Sequence, residues 1–166
     1  MVVKRVIILL MLYSLVGCAI SLYQSAELVS EKDQYTGIEI LDTRISFPQV
    51  ASQTLVIFRQ LKNETTSSYY LVGRFWMEDW AFFNSVDILI DNKNHRIESV
   101  DTKRDVKSNA SVEEIIYFNI NNEIIAEFGV CTSLKMRFNG EKRTKEIIFD
   151  AEKIDMVKRW VTHINI

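Results

Sequence analysis

The chain has 166 residues, 48% of them hydrophobic and 25% charged, the make-up of one packed globular domain. Two cysteines exclude a disulfide scaffold, and five glycines with one proline exclude collagen-like and low-complexity classes. Twenty basic against 22 acidic side chains leave a net charge of −2, with no basic excess to hold a nucleic-acid backbone.

The N-terminus reads as an address. Lys4 and Arg5 form a short positive region, and Val6 to Val16 is an apolar run broken only by Ser14. That run fits a signal-peptide core of about 7–15 residues. A membrane-spanning helix needs about 20 apolar residues, and extension through Ala19 and Ile20 still leaves the run short. The run ends in Leu15-Val16-Gly17-Cys18, which resembles the lipobox of bacterial lipoproteins. The resemblance covers only the first 18 or so residues. It implies that the Cys18 thiol receives a diacylglycerol, as a palmitate-type anchor, and that signal peptidase II cuts before Cys18. One acyl chain holds a membrane only marginally, so two or three are needed for stable anchoring. Ala19, rather than Asp, follows the cysteine, which leans toward an outer membrane facing the periplasm where the source has one. The alternative is an uncleaved N-terminal membrane helix with an incidental cysteine.

Removal of residues 1–17 leaves 149 residues with 18 basic against 22 acidic side chains. Residues 18–34 show no clean period and read as a lipid-anchored spacer, with room for a helical turn near Ser25–Leu28. Residues 35–166 read as a single β-rich domain. Period-two alternation predicts strands over 36–47, 53–62, 69–76, 86–91, 95–101, 112–120, 132–138 and 143–149. In the first of these, Leu41, Thr43, Ile45 and Phe47 share a side, and Pro48 ends it. Asn63 to Ser68 is a polar turn, and Asn92-Lys93-Asn94 a tight one carried by the left-handed tolerance of Asn. Residues 102–111 form the longest polar stretch and read as an exposed loop. Asn121 or Asn122 can cap a short helix near 122–128, with Gly129 just past its end. In the strand that follows, Leu134, Met136 and Phe138 point in. Asn139-Gly140 is a strong hairpin signal. Asp150 caps a final helix over 151–164, where Ile154, Val157, Val161 and Ile164, with Trp160 beside them, make one apolar stripe. Asp155 and Arg159 pair on its wet side. The expected class is α+β, mainly antiparallel β: a sandwich or curved sheet of about seven or eight strands with two helices.

Chemistry is sparse. Seven aromatics crowd between Tyr69 and Phe83. Alternation puts Tyr70, Val72, Arg74 and Trp76 on one face of a strand and Tyr69, Leu71, Gly73 and Phe75 on the other. Many of these rings therefore belong to the core. Trp76-Met-Glu-Asp-Trp80 nevertheless places a ring at each end of an acidic link, so Trp76, Trp80 and Tyr70 are the candidate partner surface. His95 and His163 lie far apart without ligand spacing, and no zinc motif is present, so no metal is expected. Asp87, Asp91, Asp101 and Asp105 lack the calcium-loop pattern. Cys131, once Cys18 is acylated, has no partner and reads as a buried small hydrophobe. No catalytic motif and no cofactor fingerprint is found. The expected function is that of a non-catalytic envelope lipoprotein binding a protein or an envelope polymer. The alternatives are a small inhibitor inserting loop 102–111 into a cleft, and an enzyme with an unrecognised site.

Overall fold

The computed structural model describes residues 26–48, 52–107 and 111–164. The signal segment, Cys18 and the first part of the spacer lie outside the described residues.

Six strands form the larger sheet. They are β1 (Ala26–Lys32), β2 (Glu39–Pro48), β3 (Gln53–Lys62), β4 (Ser67–Met77), β7 (Asp101–Val106) and β8 (Val112–Asn119), in the order β1-β2-β3-β4-β8-β7. The smaller sheet runs β10 (Thr144–Ile148), β9 (Leu134–Gly140), β5 (Phe83–Ile90), β6 (Lys93–Glu98). Every neighbouring pair is antiparallel. Two helices, α1 (Asn122–Val130) and α2 (Ala151–Ile164), complete the α+β fold.

The core lies between one face of the larger sheet and a second layer made of the smaller sheet and the helices. Alternation supplies the inward rows: Val56 and Phe58 from β3, Leu71 and Phe75 from β4, Val86, Ile88 and Ile90 from β5, and Leu134, Met136 and Phe138 from β9 are all buried. Phe75 meets Phe83 at 4.5 Å between ring centroids and Phe138 at 4.9 Å. Further along the sheet, α2 covers the ends of β1 to β3. Its Trp160 is fully buried against Phe58 and Tyr69, and its indole N–H donates to the Leu41 carbonyl. Truncating such a ring typically costs about 3–5 kcal/mol. Asp150 caps α2 through the Lys153 amide, and Asp155 pairs with Arg159 at 2.8 Å, both as the sequence predicts. Asn121, rather than Asn122, caps α1 by accepting from Ile124 N at 3.0 Å.

The described residues hold ten strands, two more than expected, and both additions are edge strands. β1 occupies residues assigned to the spacer, so the folded part begins upstream of Tyr35, and the turn near Ser25–Leu28 is strand from Ala26 onward. β7 replaces the first half of the expected loop 102–111. An edge strand is held by main-chain pairing and is kept polar against further pairing, so it carries little apolar pattern.

Three local features also differ. The left-handed residue of the β5–β6 turn is Asp91, at φ 51°, and not an asparagine. Asn139-Gly140 is not the turn: Asn139 still pairs with Thr144, and the chain reverses beyond Gly140. A Cβ on Gly140 would come within 2.4 Å of the Ala81 carbonyl oxygen, so this glycine serves a close backbone approach. Gly129 lies inside α1, which runs on to Val130; a Cβ there would meet Val161 of α2 at 3.2 Å.

Candidate functional site

Register across β3, β4 and β8 builds the outer face of the larger sheet row by row. Tyr70 stands between Arg59 and Asn119, Val72 between Ile57 and Tyr117, Arg74 between Leu55 and Ile115, and Trp76 between Gln53 and Glu113. Ile57 and Val72 are buried at its centre, while Tyr70, Arg74, Trp76, Ile115 and Tyr117 are half-buried. Among the described residues no helix or strand of the second layer lies on this side.

Charge on the face is organised around its aromatics. The Arg74 guanidinium stands 4.5 Å over the Trp76 ring, within cation–π range, and its Nε donates to Glu113 at 2.5 Å. Lys107 approaches the same carboxylate at 3.0 Å. Burial pushes the Glu113 carboxyl up, but Lys107 and Arg74 outweigh it and hold it below its ordinary range. Lys103 stands over Tyr117. At the other end Arg59 donates Nε and Nη2 to the two oxygens of buried Asp42, at 2.8 and 2.7 Å. This fork is the strong bidentate form of an ion pair. It raises the Arg59 pKa against the opposing effect of burial. Arg44 adds a third contact to Asp42 at 3.3 Å. The fixed carboxylates thereby hold cations in place beside the rings.

Of the three aromatics singled out from sequence, this face unites two. Tyr70 and Trp76 lie at opposite ends of it, about 20 Å apart at strand rise. Trp80 does not join them. It sits in the loop after β4, half-buried against the core and 6.3 Å from Phe82. Arg74 joins Tyr70 and Trp76 as alternation along the strand predicts, whereas Glu113 and Tyr117, which complete the face from β8, were missed. A readable trace existed in the pair Glu113-Glu114, since adjacent residues of a strand face opposite ways and one carboxylate had to point inward.

That inward carboxylate is Glu114, fully buried. Its Oε1 accepts from the amides of Ala81 and Phe82 at 2.8 and 2.9 Å, and its Oε2 from Phe83 at 3.1 Å. It holds the loop in which Phe82 adopts φ 56°.

The remaining candidates go to separate places. His95 bonds to Glu127 of α1 at 2.6 Å, and His163 bonds to the Arg159 carbonyl oxygen within its own helix. Asp91 accepts from the amides of Thr132 and Ser133, and these bonds hold its carboxyl below the usual range. Cys131 is buried, its thiol is directed at the Phe128 carbonyl oxygen, and burial raises its pKa. Among the described residues no group of three or more His, Cys, Asp or Glu side chains is arranged to hold a metal ion. No family model, no curated protein and no solved structure matches this chain.

Proposed function

We propose that this chain is a bacterial envelope lipoprotein, anchored through lipid on Cys18. In this reading its domain binds a protein or an envelope polymer through the outer face of the six-stranded sheet. The observation that carries the reading is the composition of that face: Tyr70, Trp76 and Tyr117 half-buried, with Arg74 and Lys103 seated on two of the rings. Aromatic and arginine side chains concentrate binding energy at interfaces. A ring with a cation fixed on it offers a partner both an apolar surface and a donor, without first ordering a long side chain. Asp42 and Glu113 are taken up in ion pairs with arginine, a role in positioning rather than in proton exchange. Ala19 after the cysteine favours the outer membrane, facing the periplasm.

Two measurements test the proposal. Cells given a clickable palmitate should label the parent and the Cys131→Ser variant but not Cys18→Ser. A photoreactive residue at Ile115, in the middle of the face, should yield a discrete adduct, and the same residue at Asp155 on the exposed side of α2 should not. An unlabelled parent or a labelled Cys18→Ser protein would rule out the anchor. No adduct from position 115 beyond that from 155 would rule out the binding face.

A further inference from the structure

Strand register puts one end of the sandwich next to the start of β1. Ala26 pairs with Ile45, and three residues further on β2 ends at Pro48, opposite Gln53 of β3. Gln53 pairs with Trp76 of β4, Met77 with Val112 of β8, and Val112 with Val106 of β7. Loop 78–82 leaves β4 at this end and packs on the β9–β10 turn. There the Lys142 amide donates to the Ala81 carbonyl oxygen and the Glu141 amide to that of Phe82. The tip of the β1–β2 hairpin, with fully exposed Tyr35, lies at the opposite end, beyond the Lys32–Glu39 pair.

The loop carries Trp80 and Phe82, both half-buried, with ring centroids 6.3 Å apart. The Arg104 guanidinium and the Lys142 ammonium each stand 5.1 Å from the centre of the Phe82 ring. Val106, at the end of β7, is exposed. Phe82 holds φ 56°, which is unfavourable for a bulky side chain. A glycine would hold that backbone without strain, and a ring that only closed the end of the core would be covered. Charge at this end is paired: Asp79 approaches Lys142 at 3.6 Å and Arg143 at 3.9 Å, and Lys107 meets Asp105 at 2.6 Å.

We propose that this end of the sandwich rests on a phospholipid bilayer through Trp80 and Phe82, a contact that rests in turn on the anchor at Cys18 proposed above. The rings sit in the headgroup layer, with Arg104 and Lys142 beside them. Aromatic rings flanked by basic side chains are the usual composition of a membrane–water interface. Long basic side chains lay their stems on apolar surface and keep their charge in water. Reach supports the same end. Ala26 stands about 10 Å above the level of Pro48 at strand rise, well within the roughly 25–30 Å that the eight steps from Cys18 can span. With the opposite end down, the length of β1 and the turn to Tyr35 would lift Ala26 about 25 Å from the bilayer, at the limit of the same chain. The leash alone leaves the domain free to tilt. The aromatic end selects one pose, in which the outer face of the larger sheet stands upright on the membrane. Because the charges are paired, the contact is one of rings rather than of net charge.

The test uses the full chain in cells, with clickable palmitate reporting on the anchor. A photoreactive residue is placed at Val106 or at Tyr35, and phospholipid adducts are identified by mass. Several-fold more adduct is expected from position 106 than from position 35. The excess should persist when isolated membranes are washed and irradiated in about 1 M salt, where the screening length falls to about 3 Å. Phe82→Gly removes the ring and relieves the backbone, so it should stay folded in a thermal melt and give several-fold less adduct from position 106. If it does not fold, Trp80→Gln takes its place with the same expectation. A palmitate-labelled parent with no excess at 106 over 35, loss of the excess in salt, or an unchanged yield in the folded variant would overturn the membrane contact and leave the anchor standing. A parent that takes no palmitate would remove the anchor, and this contact with it.

Discussion

Glu113 and Glu114 are consecutive in β8, and both are buried, but they are satisfied in different ways. Glu113 faces outward and is met by two side chains, Arg74 and Lys107, each more than a third exposed. Glu114 faces inward and is met chiefly by three backbone amides of residues 81–83, with the Arg104 guanidinium farther off at 3.9 Å. Desolvating a carboxylate costs several kcal/mol, so each needs compensation. Side-chain partners that reach the surface can be solvated by water if the carboxylate is removed, so its loss is partly made good. Backbone amides cannot leave without unfolding their loop, so Glu114 joins β8 to the start of β5 as firmly as a strand pairing does. One residue of displacement along a strand separates a surface element from a structural clamp.

The contrast can be broken most severely at the clamp. Glu114→Ala leaves three amides in a dry site without an acceptor and should cost about 3–5 kcal/mol in denaturant unfolding. Glu114→Gln keeps one oxygen but sets an NH₂ against an amide, and should fall between the parent and the alanine variant. A loss no larger than that of the equivalent change at position 113 would show that the two carboxylates are alike after all.

At Glu113 the expected loss is smaller, about 1 kcal/mol for Glu113→Gln, because Arg74 and Lys107 can turn to water. Its pH dependence sharpens the comparison. The folded carboxyl lies below its ordinary value of 4.5, so its contribution to stability is present above that value. It is lost as the pH falls through the folded value. The stability gap between parent and Glu113→Gln should therefore be widest at neutral pH and close on acidification. A gap that widened in acid would contradict the ion-pair account.

The smallest thermodynamic effect is expected at Trp76. Its ring is half-buried, so Trp76→Ala should change stability by less than about 1 kcal/mol. The same substitution should remove the adduct formed from position 115. A large drop in stability with the adduct intact would make this tryptophan a core residue.

Much of the architecture was legible because the central strands obey a simple rule. β3, β5 and β9 alternate cleanly, and α2 carries one apolar stripe behind a cap at Asp150. What escaped was β1 and β7, whose residues are almost all exposed and whose order comes from main-chain pairing that leaves no periodic trace. The glycines at 129 and 140 were read through local turn rules, whereas their neighbours Val161 and Ala81 lie distant in sequence. The candidate face was half legible. Alternation put Tyr70, Arg74 and Trp76 together, but Tyr117 and Glu113 reach them only through the β4–β8 register, which spans about 40 residues of intervening chain.

The early start of β1 has a mechanical consequence for the proposed anchor. Only eight residue steps separate Cys18 from Ala26, the first residue of the strand. At full extension they reach about 25–30 Å, roughly half the leash that a spacer running to residue 34 would provide. A domain of this size is about 35 Å across, so the leash is shorter than the body it holds. Acylated at Cys18, the protein could tilt and roll but could not stand off from the bilayer by its own width. Anything it captures would then have to come to the membrane surface, or already be embedded in it.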